Sequence, residues 1–194
     1  MSSLKTLRLV LGDQLNPYHT WFNKPEQHIT YVLMEVLQET DYVKHHIQKV
    51  CAFFAAMRNF ASRLQKRGHQ VLYISLDDPE NEQSFEDNIR GLVKHHNFAR
   101  FEYMLPDEYR LDRELKDLTS RLQVPSTVVD SHHFHTQRED LKNFFTGKKQ
   151  LLMESFYRSM RKKFDVLMED GLPVGKQWNF DRENRNNLDP SIPM

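Results

Sequence analysis

Short apolar runs alternate along this chain with longer stretches in which apolar residues recur every three or four positions. The short runs have the composition of β-strands, and the longer spacing puts apolar side chains on one face of an α-helix. The predicted strands are 7–11, 29–34, 71–75, 101–104 and 127–129, and the predicted helices between them are 42–66, 83–96 and 110–122. This alternation predicts an α/β fold, a Rossmann-like open parallel five-stranded sheet with helices on both faces.

The chain divides by pattern into three parts. Residues 1–135 carry the alternation of strands and helices and form the predicted α/β domain. Residues 136–170 contain two helical patterns, at 138–145 and 153–163, and are predicted as a helical extension. From residue 171 the sequence is rich in Gly, Pro, Asn and Asp and has no apolar period, which is typical of an extended connector. We therefore expect 171–194 to join this chain to a further domain of a longer protein.

The first predicted strand ends at Gly12, Asp13 and Gln14, which are too small or too polar to continue it. Ligands of open parallel α/β sheets bind in the crevice beyond the carboxyl ends of the strands. Gly12 lets a ligand or a loop approach the backbone closely, and the next two residues place a carboxylate and a carboxamide there. Glu35 follows the second strand in the same way, so the sequence predicts a binding site at this edge of the sheet.

Composition narrows the function classes. The 27 basic residues balance 27 acidic ones, so net charge gives no argument for nucleic-acid binding. The one cysteine, Cys51, excludes an internal disulfide and a cysteine-ligated cluster within the chain, and we interpret it as a small core residue. No apolar run approaches the roughly 20 residues of a membrane span, and no signal peptide begins the sequence. We expect a soluble cytoplasmic protein without membrane contact. The spaced glycines of a dinucleotide fingerprint are missing, so NAD is not predicted.

Two further segments carry candidate chemistry. His132, His133 and His135 could present imidazoles to a metal ion, but no Cys or carboxylate spacing completes such a site. A loop histidine cluster at the crevice rim or at a domain interface is favoured, and no metal is predicted. Residues 142–163 hold seven basic residues against Glu154, with four aromatic residues between them. Such a segment either contacts a DNA backbone or, as we favour, docks against a further domain.

Ordered motifs spread over nearly the whole chain resemble the N-terminal domain of the photolyase–cryptochrome superfamily. The resemblance is greatest to its deoxyribodipyrimidine photolyase-related branch, which includes the iron–sulfur (6-4) photolyases and related cryptochromes. The matching segments are LVLGDQL at 9–15, ME at 34–35 with Glu39, YVKHH at 42–46, FFAAMR at 53–58, YISLD at 73–77, FYRSMR at 156–161, LMEDG at 167–171 and GKQWNFDRENR at 175–185.

The resemblance implies an antenna domain followed by a larger helical domain. In this family the helical domain holds FAD, a 4Fe–4S cluster and the pocket for the DNA lesion. The α/β domain can hold a light-harvesting chromophore, 6,7-dimethyl-8-ribityllumazine. The parent protein is then expected to be a DNA photolyase, a carbon–carbon lyase, or a blue-light sensor, whose partners are its FAD domain and DNA. This chain alone is expected to bind the chromophore and to contain no catalytic residue.

A lumazine needs an apolar slot and a few fixed polar groups at the rim. Glu35 is the preferred carboxylate contact, and its alternative role is to cap a nearby helix N-terminus. Two rival functions stay open, a docking module without chromophore and a nucleotide-binding α/β enzyme. The predicted chromophore-binding residues are Gly12, Asp13, Gln14, Leu15, Met34, Glu35, Tyr42, His46 and Lys49.

The last three of these residues come from the start of the long predicted helix. Tyr42, His46 and Lys49 share one flank by three- and four-residue spacing, and that flank is predicted to face the crevice. Val43 and Ile47 belong to the apolar face, which is predicted to pack on the sheet.

Overall fold

The computed structural model describes residues 4–181 and contains a five-stranded sheet in the order β3-β2-β1-β4-β5. All neighbouring strands are parallel. The order changes direction between β1 and β4, which is where the ligand crevice of such folds lies. The predicted Rossmann-like α/β class is confirmed. The strands are β1 (Thr6–Leu9), β2 (Ile29–Met34), β3 (Gln70–Ile74), β4 (Arg100–Met104) and β5 (Ser126–Val129).

Helices cover both faces of the sheet, as predicted. They are α1 (Gln38–Asp41), α2 (Ile47–Lys66), α3 (Phe85–His95) and α4 (Tyr109–Arg121). Alternate residues of β2 face opposite layers because side chains of a strand point to opposite sides. Tyr31 and Leu33 pack with the α2 residue Met57, whereas Val32 packs with Ile89 of α3 and Leu115 of α4.

The start of α2 differs from the prediction. The helix begins at Ile47 rather than at residue 42, and His46 caps it by accepting a hydrogen bond from the backbone N–H of Gln48. The side chains of Val43, Ile47 and Cys51 are exposed, so the prediction that they pack on the sheet or in the core is wrong. A 20-residue helix is about 30 Å long, whereas strands of five or six residues span only about 17–20 Å. The first turns of α2 therefore extend beyond the carboxyl edge of the sheet.

The chain separates into two compact units, with the boundary between His133 and Phe134. The second unit contains α5 (Arg138–Phe145), α6 (Met153–Phe164) and a two-stranded antiparallel hairpin of β6 (Met168–Glu169) and β7 (Leu172–Pro173). The hairpin begins before and continues into the segment predicted as an extended connector. Its turn is Asp170-Gly171, and both residues have positive φ, as a two-residue type I′ turn requires. Residues 182–194 of that predicted connector lie outside the described residues.

Candidate functional site

Gln14 holds the ends of two strands together at the crevice. Its Oε1 accepts a hydrogen bond from the backbone N–H of Leu11, and its Nε2 donates to the carbonyls of Met104 and Leu105 at 3.2 Å each. The side chain is almost completely buried. Because these contacts use the oxygen and both hydrogens of the carboxamide, Gln14 bridges the ends of β1 and β4.

Gly12 is the point at which the β1 end meets α2. A Cβ atom at this position would lie 2.4 Å from the ring of Phe53 and 2.8 Å from the sulfur of Met57. Gly12 is therefore required for close packing between the loop and the helix. Two other residues of the predicted binding set, Leu15 and Met34, pack in the two apolar layers of the core.

Glu35 is fully buried, and groups of its own chain surround its carboxylate. Oε1 accepts hydrogen bonds from Arg58 Nε at 2.6 Å and the Tyr73 hydroxyl at 2.5 Å. Oε2 accepts from Arg58 Nη2 at 2.7 Å and from the backbone N–H of Leu76 at 2.9 Å. Burial would raise the pKa of Glu35, but these hydrogen bonds outweigh it and hold that pKa below its usual value. The geometry describes an internal anchor of β2, β3 and α2 and does not describe a helix cap.

Asp13 lies at the surface of the same edge. Partial desolvation of its carboxyl group raises its pKa, against the opposing effects of a backbone hydrogen bond and of His133, and the neighbouring charges of Asp107 and Glu108 raise it further. Asp13 thus remains available at the crevice, unlike Gln14.

A pocket opens beside the overhanging start of α2. Its cavity volume is about 100 Å³, and the cavity opens to solvent. Phe53 and Phe54 form an aromatic wall. Tyr42 adds a third ring, whose centroid lies 5.1 Å from that of His45, and Lys49 Nζ lies 3.1 Å from His45 Nδ1. The lining residues are Glu39, Thr40, Tyr42, His45, Lys49, Val50, Phe53 and Phe54. Apolar walls with a few polar groups are typical of sites for flat, partly polar molecules.

Glu39 brings a carboxylate to this pocket. Burial raises its pKa, although a hydrogen bond from Arg110 partly offsets the effect. Arg110 Nη2 donates to Glu39 Oε1 at 2.8 Å, and the guanidinium carbon lies 4.6 Å from the centroid of the Tyr42 ring. Glu39 has one strong internal partner, whereas Glu35 has three.

The structure brings together only part of the predicted site. Tyr42 and Lys49 line the pocket, and Gly12 supports its wall through Phe53. His46 instead caps α2. Several pocket residues, among them Glu39, were not predicted from the sequence, although their spacing along the chain indicates a shared face. Glu39 lies three residues before Tyr42, and the Phe53–Phe54 pair lies one helical turn after Lys49–Val50, so each set shares a face of a helix or turn.

The histidine segment is engaged in local contacts. The rings of His132 and His19 lie 4.5 Å apart, and His133 Nδ1 lies 2.5 Å from Asp107 Oδ2. His135, in the second unit, packs on Phe164. Within residues 4–181, no group of three or more His, Cys, Asp or Glu side chains could hold a metal ion.

The second unit contains the basic and aromatic segment. Arg158, Arg161 and Lys162 lie 5.3 to 5.5 Å from the ring centroid of Trp178. Local ion pairs neutralise part of the positive charge; they join Lys142 to Glu139, Arg158 to Glu154 and Lys163 to Asp140. Four apolar side chains on α6 and the segment before it are more than half exposed, namely Leu151, Leu152, Met153 and Tyr157. This unit therefore presents a surface that is both apolar and basic.

None of the helices within the described part of the chain has the length and apolar character needed to cross a membrane.

Comparison with known proteins identifies relatives over almost the whole chain. A family model described as deoxyribodipyrimidine photo-lyase-related protein matches residues 8–194. A (6-4) photolyase of Agrobacterium fabrum is 34% identical over 97% of this chain, and the chain spans 38% of the length of that relative. An uncharacterised protein of Acanthamoeba polyphaga mimivirus is 25% identical, over 97% of this chain and 98% of that relative. With its Rossmann-like sheet and a family match that begins in β1, the chain belongs to the deoxyribodipyrimidine photo-lyase-related proteins.

Proposed function

We propose that this chain is the antenna-chromophore-binding domain of a photolyase-related flavoprotein and that it binds 6,7-dimethyl-8-ribityllumazine. The observation that carries the proposal is the lining of the pocket at the start of α2. It combines three aromatic rings with a carboxylate and an ammonium group, which fits a planar heterocycle that has polar edges and a hydroxylated chain.

Each lining residue has a distinct part in this proposal. Phe53 and Phe54 exclude water from the faces of the ring, and Tyr42 closes the slot from the side. Glu39 accepts hydrogen bonds from ring N–H or ribityl hydroxyl groups, and Lys49 donates to a ring carbonyl. When bound, the lumazine absorbs blue light and passes its excitation energy to FAD.

The activity of the whole protein is a further part of the proposal, because this chain spans 38% of the length of the photolyase relative. We assign FAD, the 4Fe–4S cluster and the binding of damaged DNA to a domain outside this chain, and we assign no catalytic residue within it. The one cysteine of this chain does not suffice for a four-cysteine cluster. The cytoplasmic location expected from the sequence stays a prediction.

Titration of the purified 194-residue chain with 6,7-dimethyl-8-ribityllumazine tests the proposal, with absorption and fluorescence anisotropy as readouts. We expect saturable binding that the Tyr42→Ala substitution weakens about tenfold, because the ring loses one wall of its slot. Tyr18→Ala is the matched control, since Tyr18 is 89% exposed and does not line the pocket. Saturable binding that Tyr42→Ala leaves unchanged would place the ligand elsewhere. No binding by the folded chain would contradict the proposal for this chain.

A docking module without chromophore is the second candidate function. The exposed apolar side chains of Leu151, Leu152 and Met153 in the second unit favour it, because contiguous exposed apolar side chains mark interaction surfaces. The partner in this candidate is the FAD domain of the parent protein. Leu152→Asp would then abolish association with that domain, whereas Tyr42→Ala would leave it unchanged.

A further inference from the structure

One wall of the pocket is fixed almost entirely by polar contacts. This wall is the segment 37–46, which joins β2 to α2 and contains α1. None of the residues of α1 is buried, so the hydrophobic effect contributes little to its position. The backbone N–H of Leu37 donates to Gln83 Oε1 at 3.2 Å, and Gln38 hydrogen-bonds with Glu114 and the backbone of Phe85. Hydrogen bonds thus attach the segment to α4, to α3 and to the loop before α3.

Arg110, near the N-terminus of α4, contacts two of the four pocket-lining residues of this wall, Glu39 and Tyr42. Its Nη2 donates to Glu39 at 2.8 Å, and its guanidinium carbon lies over the Tyr42 ring, 4.6 Å from the centroid. The same guanidinium is oriented from behind by Glu108, which accepts from Nε at 2.9 Å and from Nη2 at 3.0 Å. Glu114 Oε2 lies 4.0 Å from Nη1. Arg110 itself does not line the pocket.

We propose that Arg110 is a positioning residue for this binding site, and that it fixes the Glu39 carboxylate and the Tyr42 ring in the arrangement that a ligand meets. The inference rests on the proposed function of the pocket. A ligand that uses Glu39 and Tyr42 then finds both groups ordered in advance, so less of its binding free energy is spent on ordering the wall.

The geometry requires arginine at this position. The guanidinium donates a forked pair of hydrogen bonds to Glu108, donates a third to Glu39 and places its central carbon over the Tyr42 ring at the same time. A lysine ammonium has no planar face to stack and no fixed fork. Arg110→Lys therefore keeps the positive charge but orients the wall less firmly than arginine does.

Hydrogen–deuterium exchange of the chain without ligand tests this role independently of the pocket's function. In Arg110→Ala we expect amides of 37–46 to exchange about tenfold faster than in the unsubstituted chain, because the hydrogen bond to Glu39 and the contact with Tyr42 are lost. Arg110→Lys should give a smaller acceleration in the same direction. Arg113→Ala is the matched control: Arg113 lies on the same helix and contacts Tyr109 instead of the pocket wall. Unchanged exchange of 37–46 in Arg110→Ala would overturn the proposal.

A lumazine titration of the same variants completes the test. We expect Arg110→Ala to raise the dissociation constant about tenfold, and we expect little additional loss when Glu39→Gln is combined with it, because the two residues act together. If the two substitutions lower the binding free energy additively, Arg110 does not act through Glu39 and the proposal is overturned. If the unsubstituted chain binds no lumazine, the proposed function fails. The exchange experiment still decides whether Arg110 positions the wall of the pocket.

Discussion

Glu35 and Glu39 are four residues apart, and each pairs with an arginine, yet they differ in every property that decides whether a carboxylate can meet a ligand. Glu35 is fully buried and accepts four hydrogen bonds from Arg58, Tyr73 and Leu76. Glu39 lines an open pocket and pairs with Arg110. A carboxylate at the carboxyl edge of a sheet is therefore a structural anchor when donors of its own protein occupy its oxygen atoms.

The pKa shifts of the two groups have opposite signs. Hydrogen bonds outweigh burial at Glu35 and lower its pKa, whereas burial dominates at Glu39 and raises its pKa. A carboxylate that is poorly compensated by its own protein gains more from a ligand's hydrogen-bond donors.

Removal of the partner of Glu35 should have the largest effect on stability. Arg58→Ala leaves a buried carboxylate without its ion pair, and we expect it to lower the free energy of unfolding by about 3 kcal/mol. The matched control is Arg90→Ala, because Arg90 makes an exposed helical ion pair with Glu86 whose loss costs about 0.5 kcal/mol or less. Urea denaturation measures both variants. Equal losses would mean that the Glu35 network is not an anchor.

The contact between Gly12 and α2 gives the second prediction. Gly12→Ala places a methyl group 2.4 Å from the Phe53 ring, so the Phe53 side chain or α2 must shift, at a cost of about 1–3 kcal/mol. Gly91→Ala is the control, since nothing lies within 4 Å of a Cβ atom there. It should stabilise α3 by about 0.5–1 kcal/mol. Thermal unfolding should move in opposite directions for the two variants; a shift in the same direction would contradict the close packing of Gly12.

The third and smallest effect is the pH dependence of stability. The stability that Glu35 contributes is present above its usual pKa of 4.5 and is lost as pH falls through its lowered pKa. Ionisation of Glu39 acts in the opposite sense, so stability decreases as pH rises from 4.5 through its raised pKa. The difference in unfolding free energy between the unsubstituted chain and Glu35→Gln should therefore shrink in acid. The corresponding advantage of the unsubstituted chain over Glu39→Gln should shrink as pH rises above 4.5. Unfolding free energies across this range measure both trends, and parallel trends would refute the contrast.

The sequence predicted the sheet well because the strand pattern depends on local composition. All five strands were located, since short apolar runs between helical patterns have few other solutions in an α/β fold. The start of α2 was misplaced because the apolar period continues through Val43 and Ile47, although the helix there extends beyond the sheet. Periodicity reports which residues share a face, and it does not report where the neighbouring layer ends.

The site was harder to predict than the fold. Sequence position identified the edge where Asp13 and Glu35 lie. The hydrogen-bond partners within the protein, however, decide which side chains at this edge can still bind a ligand. Arg58 and Tyr73, which enclose Glu35, are 23 and 38 residues away from it in sequence. Arg110 reaches Glu39 from 71 residues away. Such distant pairings follow from the three-dimensional arrangement and have no periodic signal.

The most direct test of the contrast between the two carboxylates is a paired measurement on Glu35→Gln and Glu39→Gln, with lumazine affinity and urea unfolding determined for each variant. We predict that Glu39→Gln weakens lumazine binding about tenfold without loss of stability at neutral pH. Glu35→Gln should lower the free energy of unfolding by about 2 kcal/mol. A Glu35→Gln protein that keeps its stability but loses lumazine binding, beside a Glu39→Gln protein that binds normally, would contradict the account.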